Sequence, residues 1–154
     1  CIKWNDGVIE MTISECDNQI SGNQQTLVNC QGVIQDAQNK INELNQIKNK
    51  VINLEDTVKN TASRAYGEIS GISDVWGLVR TVINNSFFSN VLDVLKGNEY
   101  SAAIQGLEQS ADRIDEEIGK LNNQIQQSRN TIDNCQNNIA QLERSKTILA
   151  QQEE

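Results

Sequence analysis

The sequence contains no proline and no histidine, and only 4% of its 154 residues are aromatic. Because proline breaks helix interiors, its absence permits very long helices. The absence of histidine removes the commonest general base and metal ligand, and it excludes Ser–His and Cys–His catalysis within this chain. Apolar residues make up 37% of the chain. That apolar content is too low for a thick globular core but sufficient for narrow helix seams.

Positive charge is also scarce, since 13 Lys and Arg residues stand against 21 Asp and Glu, and the net charge is −8. Binding to phosphate needs a basic patch, so we do not expect nucleic acid as a partner. No apolar run reaches the roughly 18 residues that a membrane-spanning helix needs, so no membrane span is predicted. These absences together argue against an enzyme, a nucleic-acid binder and an integral membrane protein.

Apolar residues recur at alternating spacings of three and four, which is the pattern of a coiled-coil seam. The first stripe comprises Ile13, Cys16, Ile20, Leu27, Cys30, Ile34, Ala37, Ile41 and Leu44, then Ile47, Val51, Leu54 and Val58. The step from Leu44 to Ile47 slips the phase by three residues, so we expect a stammer that locally overwinds the coil. The second stripe comprises Ile104, Leu107, Ala111, Ile114, Ile118, Leu121, Ile125, Ser128, Ile132, Cys135, Ile139, Leu142, Lys146 and Leu149. Polar residues on these stripes (Asn23, Ser128, Lys146) can fix helix register.

The pattern predicts an all-α fold, an elongated antiparallel helical hairpin or coiled coil with a short helical head. Residues 1–11 form an N-terminal turn or cap, and residues 12–65 form a long helix that Thr12 and Glu15 start as a capping box. Residues 66–100 form the head, where glycines favour bends between short helices. Residues 101–152 form the second long helix, and the whole is one elongated domain.

The head holds most of the aromatic residues. Trp76, Phe87 and Phe88 are typical of the small core that closes a hairpin head. The alternative is that they are exposed and form an interface with a partner.

The four cysteines are Cys1, Cys16, Cys30 and Cys135. An even number in a chain that begins with Cys rather than Met favours an oxidising compartment and two disulfides, and four reduced structural cysteines are the alternative. If the helices fold back near residue 82, Cys30 lies level with Cys135 on the facing stripe. A hairpin stapled by Cys30–Cys135, with Cys1 paired to Cys16, is therefore the predicted connectivity.

Asp112, Asp115, Glu116 and Glu117 form an acidic cluster. Calcium prefers several oxygen ligands, which makes Asp112, Asp115 and Glu116 weak calcium candidates. On a helix, such a cluster is more often a solvated face, and no other cofactor is predicted.

Three segments share a cysteine followed four residues later by isoleucine: CDNQI at residue 16, CQGVI at 30 and CQNNI at 135. With the heptads, the acidic charge and the lack of proline, the chain resembles the matrix proteins of ciliate trichocysts and mucocysts. That resemblance implies a helical polypeptide, cut from a precursor, that assembles into a calcium-responsive secretory-granule lattice.

A second resemblance rests on VWGLV at residues 75–79 and LKGNEYSAAI at 95–104. These are similar to the central Trp-x-Gly or Leu-x-Gly region of helical-hairpin substrates and partners of type VII secretion. Leu95-Lys96-Gly97 keeps that spacing, whereas Trp76-Gly77 lacks the intervening residue.

The sequence thus predicts a secreted or granule-lumen structural protein that forms homo- or hetero-oligomers through helical seams. A type VII secretion partner and a secreted, disulfide-locked binding protein are the alternatives.

Overall fold

Three α-helices contain almost all of the residues that a computed structural model of the chain describes, namely 11–75 and 85–152. Helix α1 spans Ile13–Val75, α2 spans Asn85–Lys96, and α3 spans Asn98–Gln152. The prediction of an all-α fold is confirmed, and no strand occurs within these described ranges.

Helix α1 begins with the predicted capping box. The backbone N–H of Thr12 donates to Glu15 Oε2 at 2.7 Å, and the backbone N–H of Glu15 donates to Thr12 Oγ1 at 3.2 Å. These two bonds satisfy donors that the first helical turn leaves without an intrahelical partner. The start of α1 is therefore set by residues that the sequence identifies.

The end of α1 differs from the prediction, since the helix continues ten residues beyond residue 65 to Val75. It passes through Gly67 and Gly71, which were expected to permit bends. A glycine costs an interior helix only about 1 kcal/mol relative to alanine, so two glycines do not by themselves end it. Ala62 and Ile69 continue the buried side of the helix through this segment. Residues 76–84 of the predicted head lie outside the described residues.

Gly97 separates α2 from α3 and is the sole described residue between them that is not helical. A Cβ atom at this position would lie 2.0 Å from the backbone oxygen of Asp93. Because no side chain tolerates that distance, the turn between α2 and α3 requires glycine.

The chain divides into two compact units, which we call the terminal unit (Cys1–Lys40 with Lys120–Glu154) and the central unit (Ile41–Gly119). In the terminal unit, the start of α1 packs against the end of α3. Cys16, Ile20 and Leu142 form its buried cluster, and Met11, Ile139 and Leu149 pack against that cluster. Lys146 donates to Asp17 at 2.5 Å across the same helix pair. The two segments therefore run antiparallel.

In the central unit, the second half of α1 pairs with the first part of α3. Lys48 of α1 donates to Asp115 of α3 at 2.7 Å, and Lys59 Nζ lies 3.7 Å from Glu108. As the α1 number rises, the α3 number falls, so these segments are also antiparallel. Lys96 of α2 sits over the ring of Tyr66 of α1, with Nζ 3.9 Å from the ring centroid.

The stripe predicted for α3 is confirmed, because every one of its fourteen positions is buried or half-buried. The stammer predicted in α1 is wrong. After Leu44, the side of α1 that faces α3 continues with unbroken three-four spacing. This inner seam consists of Ile41, Leu44, Lys48, Val51, Glu55, Val58 and Ala62. Ile47 and Leu54, which were assigned to the seam, are 48% and 51% exposed.

Candidate interaction surface

The described residues hold no group of three or more His, Cys, Asp or Glu side chains that could bind a metal ion. The calcium candidates Asp112, Asp115 and Glu116 are all exposed on α3 and are not brought into such a group. Asp115 instead accepts from Lys48, with both carboxylate oxygens in reach of the ammonium group. This part of α3 is thus a charged helix face on which Asp115 is engaged in an ion pair with Lys48.

The predicted disulfide staple is not present, since Cys16, Cys30 and Cys135 are free thiols. Counting from the Asp17–Lys146 pair, Cys30 lies level with Asp133, two residues short of Cys135. That offset is about 3 Å along the helix axes, and disulfide geometry tolerates little displacement. Cys16 has no exposed surface and its sulfur donates to Met11 Sδ at 3.3 Å, so it is a core side chain of the terminal unit. Cys1 lies outside the described residues.

The aromatic interface candidates are Trp76, Phe87 and Phe88. Trp76 lies outside the described residues, and Phe87 and Phe88 fall in the first turn of α2. Their assignment as core or interface stays a prediction. No helix in the described ranges is long and apolar enough to cross a membrane.

The charged side chains on the seams form ion pairs. Lys48 meets Asp115, and Lys146 meets Asp17. Glu55 meets Lys59 one helical turn further along α1. The pKa of Lys146 is raised, first because its ammonium donates to Asp17. The pKa of Lys59 is raised for the corresponding reason, by its hydrogen bond to Glu55.

A second apolar stripe runs along α1 in the central unit, beside the inner seam. This outer stripe consists of Leu44, Ile47, Val51, Leu54 and Val58, again with alternating three and four spacing. It shares Leu44, Val51 and Val58 with the inner seam, so its centre is rotated by about 50° around α1. Ile47 and Leu54 lie on the side that α3 leaves half-exposed. In the described part of the central unit, α3 exposes no large apolar side chain.

Sequence reasoning found the residues of the outer stripe but assigned them to the contact with α3. The missed signal is that the apolar stripe of α3 keeps its three-four spacing without a phase shift. Two helices stay paired along a seam only when both stripes keep the same period. Matching an unbroken α3 therefore requires Lys48 and Glu55 on the inner seam, which leaves Ile47 and Leu54 for another contact.

No protein family, no curated protein and no solved structure matches this chain.

Proposed function

We propose that this chain is a structural protein that assembles by helix–helix association. The observation that carries the proposal is the half-exposed outer stripe of α1, which alternates like a coiled-coil seam and has no partner helix within the described residues. An apolar stripe on an otherwise polar helix is typical of a surface that a further helix covers.

A catalytic role is not part of the proposal. Histidine is absent from the sequence, and the charged side chains at the seams form ion pairs along and between helices. Those pairs neutralise charge at helix contacts, which is a structural use of Lys, Asp and Glu.

A secreted or secretory-granule matrix is the setting that we propose, and its support is the resemblance of the Cys-x-x-x-Ile segments together with the acidic charge. The free thiols lend no support to an oxidising compartment. The free thiols of Cys16, Cys30 and Cys135 likewise lend no support to a disulfide-locked binding protein. Divalent cations could bridge the acidic α3 faces of neighbouring copies, which gives assembly an ionic control.

The proposal is tested by sedimentation velocity and light scattering of the full chain over a wide concentration range, with and without millimolar calcium. We expect concentration-dependent association, and stronger association with calcium if cation bridging operates. Magnesium at the same concentration is the control for ionic strength. A monomer under every condition, including calcium, would rule out a self-assembling structural protein.

One observation favours the second candidate, a helical-hairpin partner of type VII secretion. Leu95-Lys96-Gly97 coincides with the junction of α2 and α3, and Gly97 is required there by its approach to Asp93. In this reading, the chain co-purifies one-to-one with the helical N-terminus of a secreted toxin. Co-expression followed by size-exclusion chromatography tests that stoichiometry, and a chain that elutes alone contradicts it.

A further inference from the structure

We propose that the outer stripe of α1 binds the outer stripe of a second copy of this chain, with the two α1 helices parallel and in register. This inference rests on the proposed function, because it names the surface through which copies associate.

The residue types along the outer stripe suit a two-stranded contact. With Leu44, Val51 and Val58 at the a positions of a heptad, Ile47 and Leu54 fall at d. Parallel dimers favour β-branched residues at a and leucine at d, which Val51, Leu54 and Val58 supply. Leu44 at a and Ile47 at d reverse the two types at the N-terminal end, a combination that favours higher oligomers, so the preference for two strands rests on Val51, Leu54 and Val58. All five positions are apolar, whereas the inner seam over the same segment includes Lys48 and Glu55.

The matching surface on the second copy is its own α1. Within the described residues of the central unit, the exposed large apolar side chains of the long helices are Ile47, Leu54 and Ile52, all on α1. Ile52 lies on the other side of the inner seam, so only the outer stripe offers a continuous row. An α1–α3 contact between copies would place this row against a helix whose exposed side chains in this unit are small or polar.

The charges that flank the outer stripe complement each other in the parallel arrangement. In a parallel coiled coil, a side chain at position g of one helix faces the side chain at position e, five residues later, of the other helix. Here Glu43 and Lys50 are at g, and Lys48 and Glu55 are at e. Glu43 of one copy therefore meets Lys48 of the other, and Lys50 of one copy meets Glu55 of the other. Twofold symmetry produces each pair twice, and no like charges are opposed.

These pairs extend contacts that already exist within each copy. Lys48 holds Asp115 on its inner side, and Glu55 holds Lys59. Two rows of charged side chains therefore cross the contact. In the first, Glu43 of one copy is followed by Lys48 and Asp115 of the other. In the second, Lys50 of one copy is followed by Glu55 and Lys59 of the other. Alternating signs in each row favour this register.

The contact between the two outer stripes is short, so its affinity is expected to be low. From Leu44 to Val58 the stripe extends about 21 Å along α1, and two helices over that length bury less than a standard protein interface. We therefore expect reversible association, with a Kd on the order of micromolar or weaker.

The surface is tested with the double variant Ile47→Gln/Leu54→Gln in sedimentation equilibrium up to several hundred micromolar. The matched control is Ile52→Gln/Ile148→Gln, which makes the same kind of change at exposed apolar positions away from the outer stripe. Circular dichroism establishes that both variants keep the wild-type helix content. We expect the Kd of the outer-stripe variant to rise at least about a hundredfold, since four half-exposed side chains per dimer lose their burial. The control is expected to match the wild type.

The outcomes separate the two proposals. If the wild-type chain stays monomeric throughout, the proposed function fails and this inference with it. If the wild type associates and the outer-stripe variant associates as tightly as the control, only this inference is overturned.

Orientation is tested by oxidative cross-linking of Ile47→Cys, with the wild-type chain as the control for its native cysteines. Parallel pairing in register places position 47 opposite itself, so a dimer linked through Cys at 47 is expected in peptide mapping. An antiparallel contact with Val51 opposite Leu54 separates the two positions by about 16 Å. A chain that dimerises but yields no such link therefore overturns the parallel arrangement.

Discussion

Lys48 and Lys146 occupy seam positions where coiled coils usually place apolar side chains, and each meets an Asp of the facing helix. The side chains keep 27% and 35% of their surface exposed, so neither ion pair is deeply buried. Exposed pairs contribute little to stability because solvent screens them, but they oppose registers in which the charges separate. We infer that these lysines act on helix register more than on stability.

Replacing Lys48 with methionine tests this division of roles. Lys48→Met is expected to leave the thermal midpoint unchanged or raise it, because methionine fills the seam and Asp115 stays in solvent. Val51→Ala on the same seam is the comparison, and we expect it to lower stability by roughly 1–2 kcal/mol. Thermal unfolding followed by circular dichroism measures both. A larger loss for Lys48→Met than for Val51→Ala would show that the ion pair stabilises the fold.

The capping box makes the start of α1 sensitive to acid. The pKa of Glu15 is lowered from its ordinary value of 4.5, first because its carboxylate accepts from the backbone N–H of Thr12 and then from the Thr12 hydroxyl. A lowered folded-state pKa means that the contact stabilises the helix above pH 4.5 and that this contribution is lost as the pH falls through the lowered pKa.

Titration of Glu15 by NMR is therefore expected to give a pKa below 4.5. Fraying of the first turn of α1 should accompany protonation, seen as loss of amide protection near Glu15. In Glu15→Gln, the amide oxygen still accepts and does not titrate, so that fraying should lose its pH dependence. Equal pH dependence in the two proteins would contradict the capping mechanism.

Helix α1 continues through Gly67 and Gly71, whereas the junction of α2 and α3 requires Gly97. The difference lies in the space around each glycine. Gly71 has nothing within 4 Å of an added Cβ, whereas at Gly97 that atom would overlap the backbone of Asp93. Gly71→Ala should stabilise the protein by about 0.5–1 kcal/mol through higher helix propensity.

Gly97→Ala should destabilise the protein, because the backbone at the junction of α2 and α3 must distort to make room for the added Cβ. Chemical denaturation of both variants measures the two signs, and the same sign for both would contradict the structure.

At the level of the helices, the sequence predicted most of α3 and the start of α1. The stripe from Ile104 to Leu149 is unbroken, so three-four spacing alone located its buried side. The inner seam of α1 could not be located that way, because Ile47 and Leu54 alternate as regularly as Lys48 and Glu55 do. The choice between them depends on α3. Because two paired helices must keep the same heptad period, the unbroken stripe of α3 selects the inner seam, and not the outer stripe, as the contact with α3.

The cysteines show why topology alone does not predict a disulfide. An antiparallel pair places Cys30 within two residues of Cys135, but a bridge needs closer agreement than that. Oxidised and reduced protein should therefore have the same unfolding midpoint. A thiol reagent should modify half-buried Cys30 readily and Cys16 only on unfolding, because Cys16 has no exposed surface. Mass mapping measures the modified fraction, and a Cys30–Cys135 peptide in the untreated protein would contradict the free thiols.

The net charge of −8 sets the salt dependence of self-association for the whole molecule. Two such molecules about 30 Å apart repel by roughly 9 kcal/mol in water without salt, more than four exposed ion pairs of at most about 1 kcal/mol each can offset. The Debye length falls from about 30 Å at 10 mM salt to about 8 Å at 150 mM, which screens this repulsion far more than it weakens the apolar contact. We therefore expect the dimer Kd to decrease when sodium chloride rises from about 10 to about 150 mM, measured by sedimentation equilibrium. The opposite trend would mean that the pairs between Glu43 and Lys48, and between Lys50 and Glu55, dominate over net charge. The variant Lys50→Glu, which turns two of the four attractive pairs into repulsive ones, should then weaken that trend or reverse it.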